Sequence, residues 1–317
     1  MAATGSKRVI YAALIGNGLI AVSKFAAAAF TGSSAMLSEG VHSVVDCGNQ
    51  GLILFGMKRA QRPPDVKHPF GYGMELYFWT FIVAIVIFAV GAGVSIYEGI
   101  ERVRHPHAME APYVNYIVLA LAMVFEGYAW SVAYKEFNKT RGDRGWIAAV
   151  RHSKDPTVFT VLFEDTAAML GLFIAFVGVV GVHIFEIAVL DGVASIAIGV
   201  VLALTAILLS IESKALLIGE GADQGVVDAV HKAFDGDDRV IRVNEVLTLH
   251  FGPEDFLLAA SLDFKDSLSA SDVEAAITEF ETKIKASQPS VGRIFIEAQN
   301  WRASLAASGE RERDTDQ

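Results

Sequence analysis

Cysteine is nearly absent from this sequence and charged residues are scarce, and each shortage limits what the chain can be. Cys47 is its one cysteine, so the 317 residues can form neither an intramolecular disulfide nor a cysteine-based zinc knuckle. Charged residues make up 20% of the chain and hydrophobic residues 53%. Soluble domains are usually less apolar than this, so the composition predicts a membrane protein.

The chain also lacks the short motifs that mark common enzymes. It contains no His-Glu-x-x-His helix, no Gly-x-Ser-x-Gly elbow and no phosphate-binding loop. These absences argue against a membrane metalloenzyme. We expect neither an enzymatic activity nor a resident cofactor.

Basic residues are outnumbered in the C-terminal third of the chain. Residues 1–212 hold 15 Lys and Arg against 16 Asp and Glu, a net charge of −1, whereas residues 213–317 hold 11 against 20, a net charge of −9. An acidic portion repels phosphates, which argues against nucleic acid as a partner. The change in composition predicts a transmembrane domain over 1–212, a cytoplasmic α+β domain over 213–300 and a disordered tail over 301–317.

Hydrophobic runs in the first 212 residues predict six transmembrane helices. A membrane helix needs about 20 mainly apolar residues to cross roughly 30 Å of hydrocarbon. Six stretches meet this requirement: 9–30, 35–57, 76–98, 113–134, 157–180 and 184–210. The first follows Lys7 and Arg8, as a signal peptide would, but its length and the further spans favour a retained helix. The last two are joined by a very short connection near Gly181.

Lysine and arginine mark one set of loops, and such loops face the cytoplasm. They precede the first predicted span and separate the second from the third and the fourth from the fifth, whereas the other loops offer Arg102 and Arg104. An even number of spans then places both termini in the cytoplasm. We predict a multi-pass protein of the inner (plasma) membrane, embedded in the lipid bilayer.

The acidic C-terminal part alternates between helical and strand patterns. The pattern predicts five elements: helices over Asp223–Phe234 and Ser271–Lys285, and strands over Val240–Phe251, Phe256–Phe264 and Val291–Ala298. Ser271 is the expected N-cap of the second helix, with Glu274 three residues later. The order α-β-β-α-β predicts a small α+β domain of ferredoxin-like type.

Two predicted spans carry ionisable residues at membrane depth, where a charge is costly and is therefore a candidate for function. His42 and Asp46 lie four residues apart in the second span, so they share one helix face. Glu164 and Asp165 lie in the fifth span. Imidazole and carboxylate groups suit zinc, which prefers four ligands at about 2 Å. A lone polar residue in a membrane is often only hydrogen-bonded to a neighbouring helix, but two such pairs favour a metal site.

Two further ionisable residues lie inside predicted spans. We expect Lys24, in the first span, to reach towards the membrane surface or to pair with an acid. Glu126 lies deeper in the fourth span, where it either lines the cavity or takes no part in function.

Several motifs occur together around the predicted metal site. Ser38–Asp46 reads Ser-Glu-x-x-His-Ser-x-x-Asp and is followed by Asn-Gln-Gly-Leu, Pro64–Gly73 reads Pro-Asp-Val-Lys-His-Pro-Phe-Gly-Tyr-Gly, and Glu164–Ala168 reads Glu-Asp-Thr-Ala-Ala. This combination resembles the cation diffusion facilitators, and is most similar to their zinc transporter 9-like branch. The resemblance extends over the six spans and the C-terminal domain. It implies a homodimer with a transport site in each protomer and a metallochaperone-like cytoplasmic domain that helps to hold the dimer.

One ligand of the family pattern is missing. Zinc-carrying members usually place His or Asp four residues before the fifth-span aspartate, here Asp165, and Val161 occupies that position. Three of the four ligands that the resemblance implies remain, namely His42, Asp46 and Asp165. Our hypothesis is that Glu164 supplies the fourth. Neighbouring residues on a helix point about 100° apart, so the hypothesis needs a local distortion, or else Asn49 or water completes the site.

The loop after the second span departs from the family pattern as well. Some relatives bind a second ion there with an aspartate and two histidines; Asp65 and His68 match, but Tyr72 stands in place of the second histidine. We interpret this segment as a structural turn rather than a metal site. Phe295 stands where relatives often carry histidine, and His250 reads as a surface or edge residue, so metal sensing by the C-terminal domain is not expected.

The donor set predicts a mechanism. Zinc requires a neutral His42 and ionised carboxylates, so protons and metal compete for the same atoms. We predict a secondary active transporter that exchanges Zn²⁺ for protons, and the family resemblance implies that it exports the ion from the cytoplasm. Two alternatives stay open: an exporter of Mn²⁺ or Fe²⁺ with the same fold, because oxygen ligands favour harder ions, and a non-transporting membrane metal sensor or scaffold.

Overall fold

The apolar runs of the sequence form long helices, because a helix satisfies its own backbone hydrogen bonds where lipid offers none. The computed structural model describes residues 2–106 and 112–305. Its first eight helices are α1 (Ala2–Thr31), α2 (Ser34–Ala60), α3 (Glu75–Val86), α4 (Gly93–Arg104), α5 (Pro112–Arg141), α6 (Trp146–His152), α7 (Pro156–Phe185) and α8 (Val189–Gly219). A π-helical turn at Ile87–Ala92 joins α3 to α4.

The residues group into two units. One comprises Met1–Arg62 and Met74–Lys214, and the other comprises Pro63–Gly73 and Ala215–Gln317. The loop between α2 and α3 therefore belongs with the C-terminal residues, a division that a single boundary at residue 212 does not describe.

Five segments of the described residues are long and apolar enough to cross a membrane: Leu14–Thr31, Glu75–Arg104, Tyr113–Lys139, Phe159–Phe185 and Val189–Asp235. They correspond to five of the six predicted spans. Within the same residues α2 is not apolar enough, although its 27 residues would reach about 40 Å at 1.5 Å per residue. The reason is a polar face, formed by Glu39, His42, Asp46, Asn49 and Gln50.

The connection between α7 and α8 lies later than predicted. α7 continues to Phe185, and Glu186 then adopts a left-handed conformation with φ of 58°, its N–H donating to Val182 O. Gly181 lies inside the helix, where a Cβ atom would come within 2.9 Å of Leu190 Cδ1. The prediction was wrong because this glycine permits close packing of the two helices and does not form the turn.

α4 and α8 approach each other backbone to backbone through glycine. A Cβ atom at Gly99 would lie 2.7 Å from Gly192 O, and one at Gly192 would lie 2.8 Å from Gly99 O. Such distances admit no side chain, so both positions need glycine. Ser195 Oγ of α8 donates to Ser95 O at 2.9 Å and makes a short hydrogen bond with Ser38 Oγ of α2. Polar contacts therefore join α2, α4 and α8.

A small mixed sheet forms the C-terminal unit together with two helices. Its elements are α9 (Gln224–Asp235), β1 (Val240–Gly252), β2 (Asp255–Phe264), α10 (Ala270–Ser287) and β3 (Val291–Ala298). β2 lies in the centre of the sheet, antiparallel to β1 and parallel to β3. Phe234 of α9, Leu258 of β2 and Phe280 of α10 are buried in one core. The predicted order of the elements is confirmed.

The N-cap of α10 lies two residues before the predicted one, and the helix begins at Ala270. Ser269, and not Ser271, is the N-cap, since its Oγ accepts from Asp272 N at 3.2 Å. Asp272 in turn accepts from Ser269 N at 3.0 Å, so it completes the capping box in place of Glu274. An aspartate thus takes the position that glutamate or glutamine usually holds in a capping box, which is why the sequence pattern favoured the later serine.

The predicted disordered tail begins too early. Residues 301–305 are helical, and Trp301 N donates to Asp263 Oδ2 of β2 at 3.0 Å, which ties the segment to the sheet. The rest of the predicted tail, residues 306–317, lies outside the described residues.

Candidate metal centre

One face of α2 is polar and buried along most of its length. Six residues that follow the repeat of one helix face expose 0–6% of their surface: Glu39, His42, Ser43, Asp46, Asn49 and Gln50. Ser33 begins the helix as its N-cap, with Oγ accepting from Met36 N at 3.2 Å. Lipid offers such a face no hydrogen bonds, so it must be buried against protein.

His42 and Asp46 lie together, as their spacing predicts. His42 Nδ1 is 3.5 Å from Asp46 Oδ1. In the part of the chain that the structure describes, neither ring nitrogen of His42 has a hydrogen-bond partner, and neither has Asp46 Oδ1. Buried polar atoms without partners are costly and uncommon. The pair therefore presents a nitrogen and an oxygen that a bound cation could use.

α7 brings its acidic pair to the same part of α2. Asn49 Nδ2 donates to Glu164 Oε1 at 2.9 Å, which joins the two helices about one turn from Asp46. Asp165 is buried, and its Oδ2 has no hydrogen-bond partner among the described residues. Val161, one turn before Asp165, offers no ligand atom. The two helices that carry the predicted ligands are thus direct neighbours.

The four predicted ligands do not form a closed cage in this conformation. Within residues 2–106 and 112–305, no three His, Cys, Asp or Glu side chains lie close enough together to hold one metal ion. The structure pairs His42 with Asp46 and Glu164 with Asn49, while Asp165 interacts with Asp46 electrostatically. Ligation by all four would require α2 and α7 to close on the ion.

A buried ion pair lies beside the predicted site. Lys24 Nζ of α1 donates to Glu39 Oε2 at 3.0 Å and to Ser43 Oγ at 2.9 Å. Both charged side chains are fully buried. The expectation that Lys24 pairs with an acid is confirmed. A methyl group at Gly171 of α7 would collide with Glu39 Oε1, so the pair lies where α1, α2 and α7 meet.

Comparison with known proteins assigns this chain to a family. The sequence model of the cation efflux transmembrane domain matches residues 10–218, more than half of the chain. The chain belongs to the cation diffusion facilitator family. The resemblance suggested by the motifs is confirmed, and this facilitator is a multi-pass membrane protein.

Curated relatives of this facilitator support the zinc transporter 9-like branch. The proton-coupled zinc antiporter SLC30A9, mitochondrial, of Mus musculus is 32% identical over 262 residues, which cover 82% of this chain and 46% of the relative. The protein of that name from Xenopus laevis is 29% identical over 315 residues, 97% of this chain and 56% of the relative. Metal tolerance protein C4 of Arabidopsis thaliana is 30% identical over 265 residues, 83% of this chain and 58% of the relative. The chain spans about half the length of the curated relatives it matches.

Asp191 of α8 stabilises the start of α2 in this facilitator. It lies in the first turn of α8 and is 1% exposed. Its carboxylate accepts from Ser33 Oγ at 2.6 Å, from Ser34 N at 2.5 Å and from Ala35 N at 3.3 Å, so α8 caps the N-terminus of α2. Arg102 Nε of α4 lies 3.5 Å from the same carboxylate. No local sequence pattern indicates this role, because the capped helix lies 157 residues earlier.

Replacing Asp191 with alanine should destabilise the membrane unit. Loss of an N-cap costs about 1 kcal/mol, and a lost hydrogen bond to a buried charged group costs about 1–3 kcal/mol. We expect the melting temperature of the detergent-solubilised protein to fall. Asp143→Ala, at an exposed turn position, is the matched control. Equal melting temperatures for the two variants would contradict the capping role.

The loop between α2 and α3 is a hydrogen-bonded turn. Asp65 Oδ1 accepts from Lys67 N at 2.9 Å and from His68 N at 2.7 Å, and Oδ2 accepts from the Tyr72 hydroxyl at 2.6 Å. The Tyr72 hydroxyl, followed by the His68 N–H, holds the pKa of Asp65 below its usual range. These partners already occupy the carboxylate, which favours the structural interpretation of this segment.

The same loop packs on the C-terminal residues of its unit. The ring of Phe70 stacks on Phe251 with centroids 4.8 Å apart. Arg293 of β3 lies 5.2 Å from the centre of the Phe70 ring and donates to Pro69 O at 2.9 Å. These contacts explain why the loop groups with the C-terminal residues and not with the helices that it connects.

We expect His68→Ala to leave the number of bound metal ions unchanged. The His68 side chain is 51% exposed, and its Nδ1 lies 3.5 Å from a carboxylate that has other partners. Equilibrium dialysis against Zn²⁺, followed by elemental analysis, gives the ratio of metal to protein. Asp46→Asn serves as the positive control and should lower that ratio. A loss of one ion per chain in His68→Ala would make the loop a metal site.

His250 lies on β1, an edge strand of the sheet, as the sequence suggests, but it is not a surface residue. It is 5% exposed, its Nδ1 lies 3.0 Å from Gly252 O, and its ring lies 5.3 Å from that of Phe256. Its backbone N–H donates to Glu220 O, so the segment before α9 covers this part of β1. The sequence did not indicate this burial, because strand alternation does not show which edge a neighbouring segment covers.

Proposed function

We propose that this chain carries divalent metal ions, Zn²⁺ first, across a membrane in exchange for protons. The ion would bind between α2 and α7, at His42, Asp46, Asp165 and Glu164. One observation carries the proposal: a buried imidazole with two unpartnered nitrogens stands beside a carboxylate oxygen that also lacks a partner among the described residues. Zinc takes both atom types as ligands.

Charge balance supports exchange with protons. Among the residues that the structure describes, the membrane unit buries six carboxylates and one lysine: Glu39, Asp46, Glu126, Glu164, Asp165 and Asp191 against Lys24. Unpaired carboxylates are expensive in a low-dielectric interior, so they need a cation or a proton. A divalent ion and protons compete for the same oxygens, and they also compete for His42.

The relatives support the choice of ion and of counter-ion. The two SLC30A9 proteins are named as proton-coupled zinc antiporters. This chain shares their family, and His42 with Asp46 and Asp165 form a donor set that suits zinc. The chain covers about half of those proteins, so its own substrate requires a direct measurement.

We propose α2 as the sixth span. Its polar face is buried against α1 and α7 and does not need to meet lipid. Six spans place both termini on one side of the membrane, and the lysine- and arginine-rich loops identify that side as the cytoplasm. The membrane would then be the plasma (inner) membrane of the cell. Single cysteines at Arg62 and Arg104, in a Cys47→Ala background, test the topology. An impermeant maleimide that labels both from one side would contradict it.

Metal uptake into proteoliposomes tests the transport proposal. Purified protein is reconstituted with a metal-sensitive dye inside the vesicles, and a pH gradient is imposed. We expect Zn²⁺ uptake to rise when the lumen is acidic, because outward proton flow then drives the ion inwards, and to slow when a protonophore removes the gradient. Zn²⁺ uptake that does not depend on the pH gradient would reject proton exchange. No flux of any divalent ion above protein-free vesicles would favour the sensor or scaffold alternative.

Manganese or iron is the second candidate substrate. Val161 removes one of the usual ligands, and the remaining buried donors are mostly carboxylates, which favour harder ions. The same vesicles can be assayed with Zn²⁺, Mn²⁺ and Fe²⁺ at equal free concentrations. A larger Mn²⁺ or Fe²⁺ flux would reassign the substrate without changing the site.

Glu164→Gln tests the proposed fourth ligand. The amide oxygen can still accept from Asn49 Nδ2, but the side chain no longer carries a negative charge. We expect the Kd for Zn²⁺, measured by calorimetry in detergent, to rise about 10-fold or more. Unchanged affinity and unchanged uptake would remove Glu164 from the site.

We also propose that two copies associate and that the C-terminal unit has the ferredoxin-like, metallochaperone-like fold. The α-β-β-α-β order and the three-stranded mixed sheet support the fold, and family membership supports the dimer. Light scattering of the detergent-solubilised chain, corrected for bound detergent, measures the mass. A monomer at all concentrations would reject the dimer, and an experimental structure of the C-terminal unit with another topology would reject the fold.

A further inference from the structure

Glu126 of α5 is a buried carboxylate that the proposed site does not include. It is 2% exposed, and its Oε1 has no hydrogen-bond partner in the described part of the chain. It lies near the middle of the apolar segment Tyr113–Lys139, where neither water nor a helix end can solvate it. A carboxylate in such a position is expensive unless a cation or a hydrogen-bond donor meets it.

α5 lies against the part of α7 that carries the acidic pair. Trp130 Nε1 of α5 donates to Thr166 Oγ1, next to that pair, at 3.0 Å. Three residues before this tryptophan, a Cβ atom at Gly127 would lie 4.0 Å from Met169 Cε of α7. The two contacts run in opposite directions along the helices, so α5 and α7 are antiparallel neighbours here. Glu126 lies four residues before Trp130 and shares its face of α5.

Glu126 lies within electrostatic range of two of the proposed ligands. Its carboxylate interacts with Asp46 of α2 and with Asp165 of α7, and with Lys24 of α1. Lys24 already donates to Glu39, so its charge is shared. Three acids from three helices therefore face one region of the interior, where like charges repel unless a cation lies between them. In this conformation of the described residues they are not close enough together to hold one ion, so ligation by all three requires the helices to close on it.

We infer that Glu126 is a further direct ligand of the transported cation, so that the ion site is built on α2, α5 and α7. The inference rests on the proposed function. Val161 leaves one ligand position of α7 unfilled, and Glu126 supplies an oxygen from the neighbouring helix instead. Glu164 Oε1 already accepts from Asn49, whereas Glu126 Oε1 has no such partner within the described residues.

An added carboxylate affects which metal the site prefers. With Glu126 included, the proposed oxygen ligands are contributed by four acids, while His42 remains the proposed nitrogen ligand. Oxygen ligands favour Mn²⁺, and imidazole favours Zn²⁺. Glu126 should therefore contribute more to the binding of Mn²⁺ than to the binding of Zn²⁺.

The test compares Glu126→Gln and Glu126→Asp with the control Glu136→Gln, which changes an exposed glutamate of the same helix that pairs with Lys139. Calorimetry on the full chain in detergent gives the Kd for Zn²⁺ and for Mn²⁺, and melting temperatures report folding. We expect Glu126→Gln to raise the Kd for Mn²⁺ more than tenfold and that for Zn²⁺ by a smaller factor. Glu126→Asp keeps the charge but withdraws it by about 1.5 Å, so it should weaken Mn²⁺ binding as well. The control should change neither Kd.

Four outcomes would decide against this inference or against the proposed function. Wild-type affinities in a folded Glu126→Gln protein would overturn the inference. Wild-type affinities in Glu126→Asp would also overturn the inference, because a carboxylate that acts only through its charge tolerates a displacement of about 1.5 Å. If Glu126→Gln does not fold, Glu126→Asp is the deciding variant. Metal binding that is lost in Asp46→Asn and kept in both Glu126 variants would reject this inference but not the proposed function. No binding by the wild-type chain would reject the proposed function itself.

Discussion

Asp46→Asn should abolish metal transport, with uptake into proteoliposomes falling about 100-fold or more. Asp46 is 5% exposed, its Oδ1 has no hydrogen-bond partner in the described chain, and it lies 3.5 Å from His42 Nδ1. Asparagine keeps the shape of the side chain but removes its charge and can present an N–H to the cation. Replacing a group that only orients a metal ligand typically costs 10–100-fold, so loss of a ligand should reach at least the upper end.

The control for this experiment is Asp143→Asn, the same chemical change at an exposed turn position. Both variants are reconstituted at equal protein density, and their melting temperatures are compared before uptake is measured. We expect wild-type uptake from the control. Uptake within a factor of two of wild type in a folded Asp46→Asn protein would exclude the proposed site on α2.

Lys24→Met should lower the free energy of unfolding by about 3–5 kcal/mol, the range for breaking a buried ion pair from one side. Lys24 and Glu39 are both fully buried, and the lysine also donates to Ser43. Methionine fills a similar space without a charge, so Glu39 would stay buried with no cation beside it. Glu39 Oε1 already lacks a hydrogen-bond partner among the described residues, which leaves it little compensation.

The double variant Lys24→Met/Glu39→Gln separates the ion pair from the packing of its side chains. Removing both charges leaves no unpaired ion, so we expect it to recover most of the stability that Lys24→Met loses. Unfolding of the solubilised protein by titration with denaturing detergent measures all three proteins. A Lys24→Met variant as stable as wild type would contradict the role of the pair, and so would a double variant no more stable than the single one.

Local sequence patterns predicted those features of this protein that depend on nearby residues. The spacing of His42 and Asp46 placed both on one face of α2, and strand alternation placed β3 at Val291–Ala298, as observed. The sequence also predicted that Lys24 reaches the membrane surface or pairs with an acid, and its ion pair with Glu39 confirms the second option.

Features that depend on distant residues could not be predicted from the sequence. The hydrogen bonds from the start of α2 to Asp191 join residues more than 150 positions apart, and no local motif marks them. Gly181 shows a related difficulty, since glycine permits both turns and close helix contacts and only the neighbouring Leu190 decides between them. The place of Glu126 beside α7 likewise follows from helix packing and not from its sequence context.

The backbone contact between α4 and α8 restricts how the membrane unit can change its shape. Gly99 and Gly192 leave no layer of side chains between the two helices, so neither can slide or turn past the other without colliding atoms. α4 and α8 must then move together as one rigid unit. Relative motion is left to the boundary with α2, which is held by hydrogen bonds from the start of α2 to Asp191 and by the hydroxyls of Ser38 and Ser195. A rearrangement that exposes the ion to the opposite side of the bilayer should give the Ser38 hydroxyl a new partner while the two glycines stay in contact.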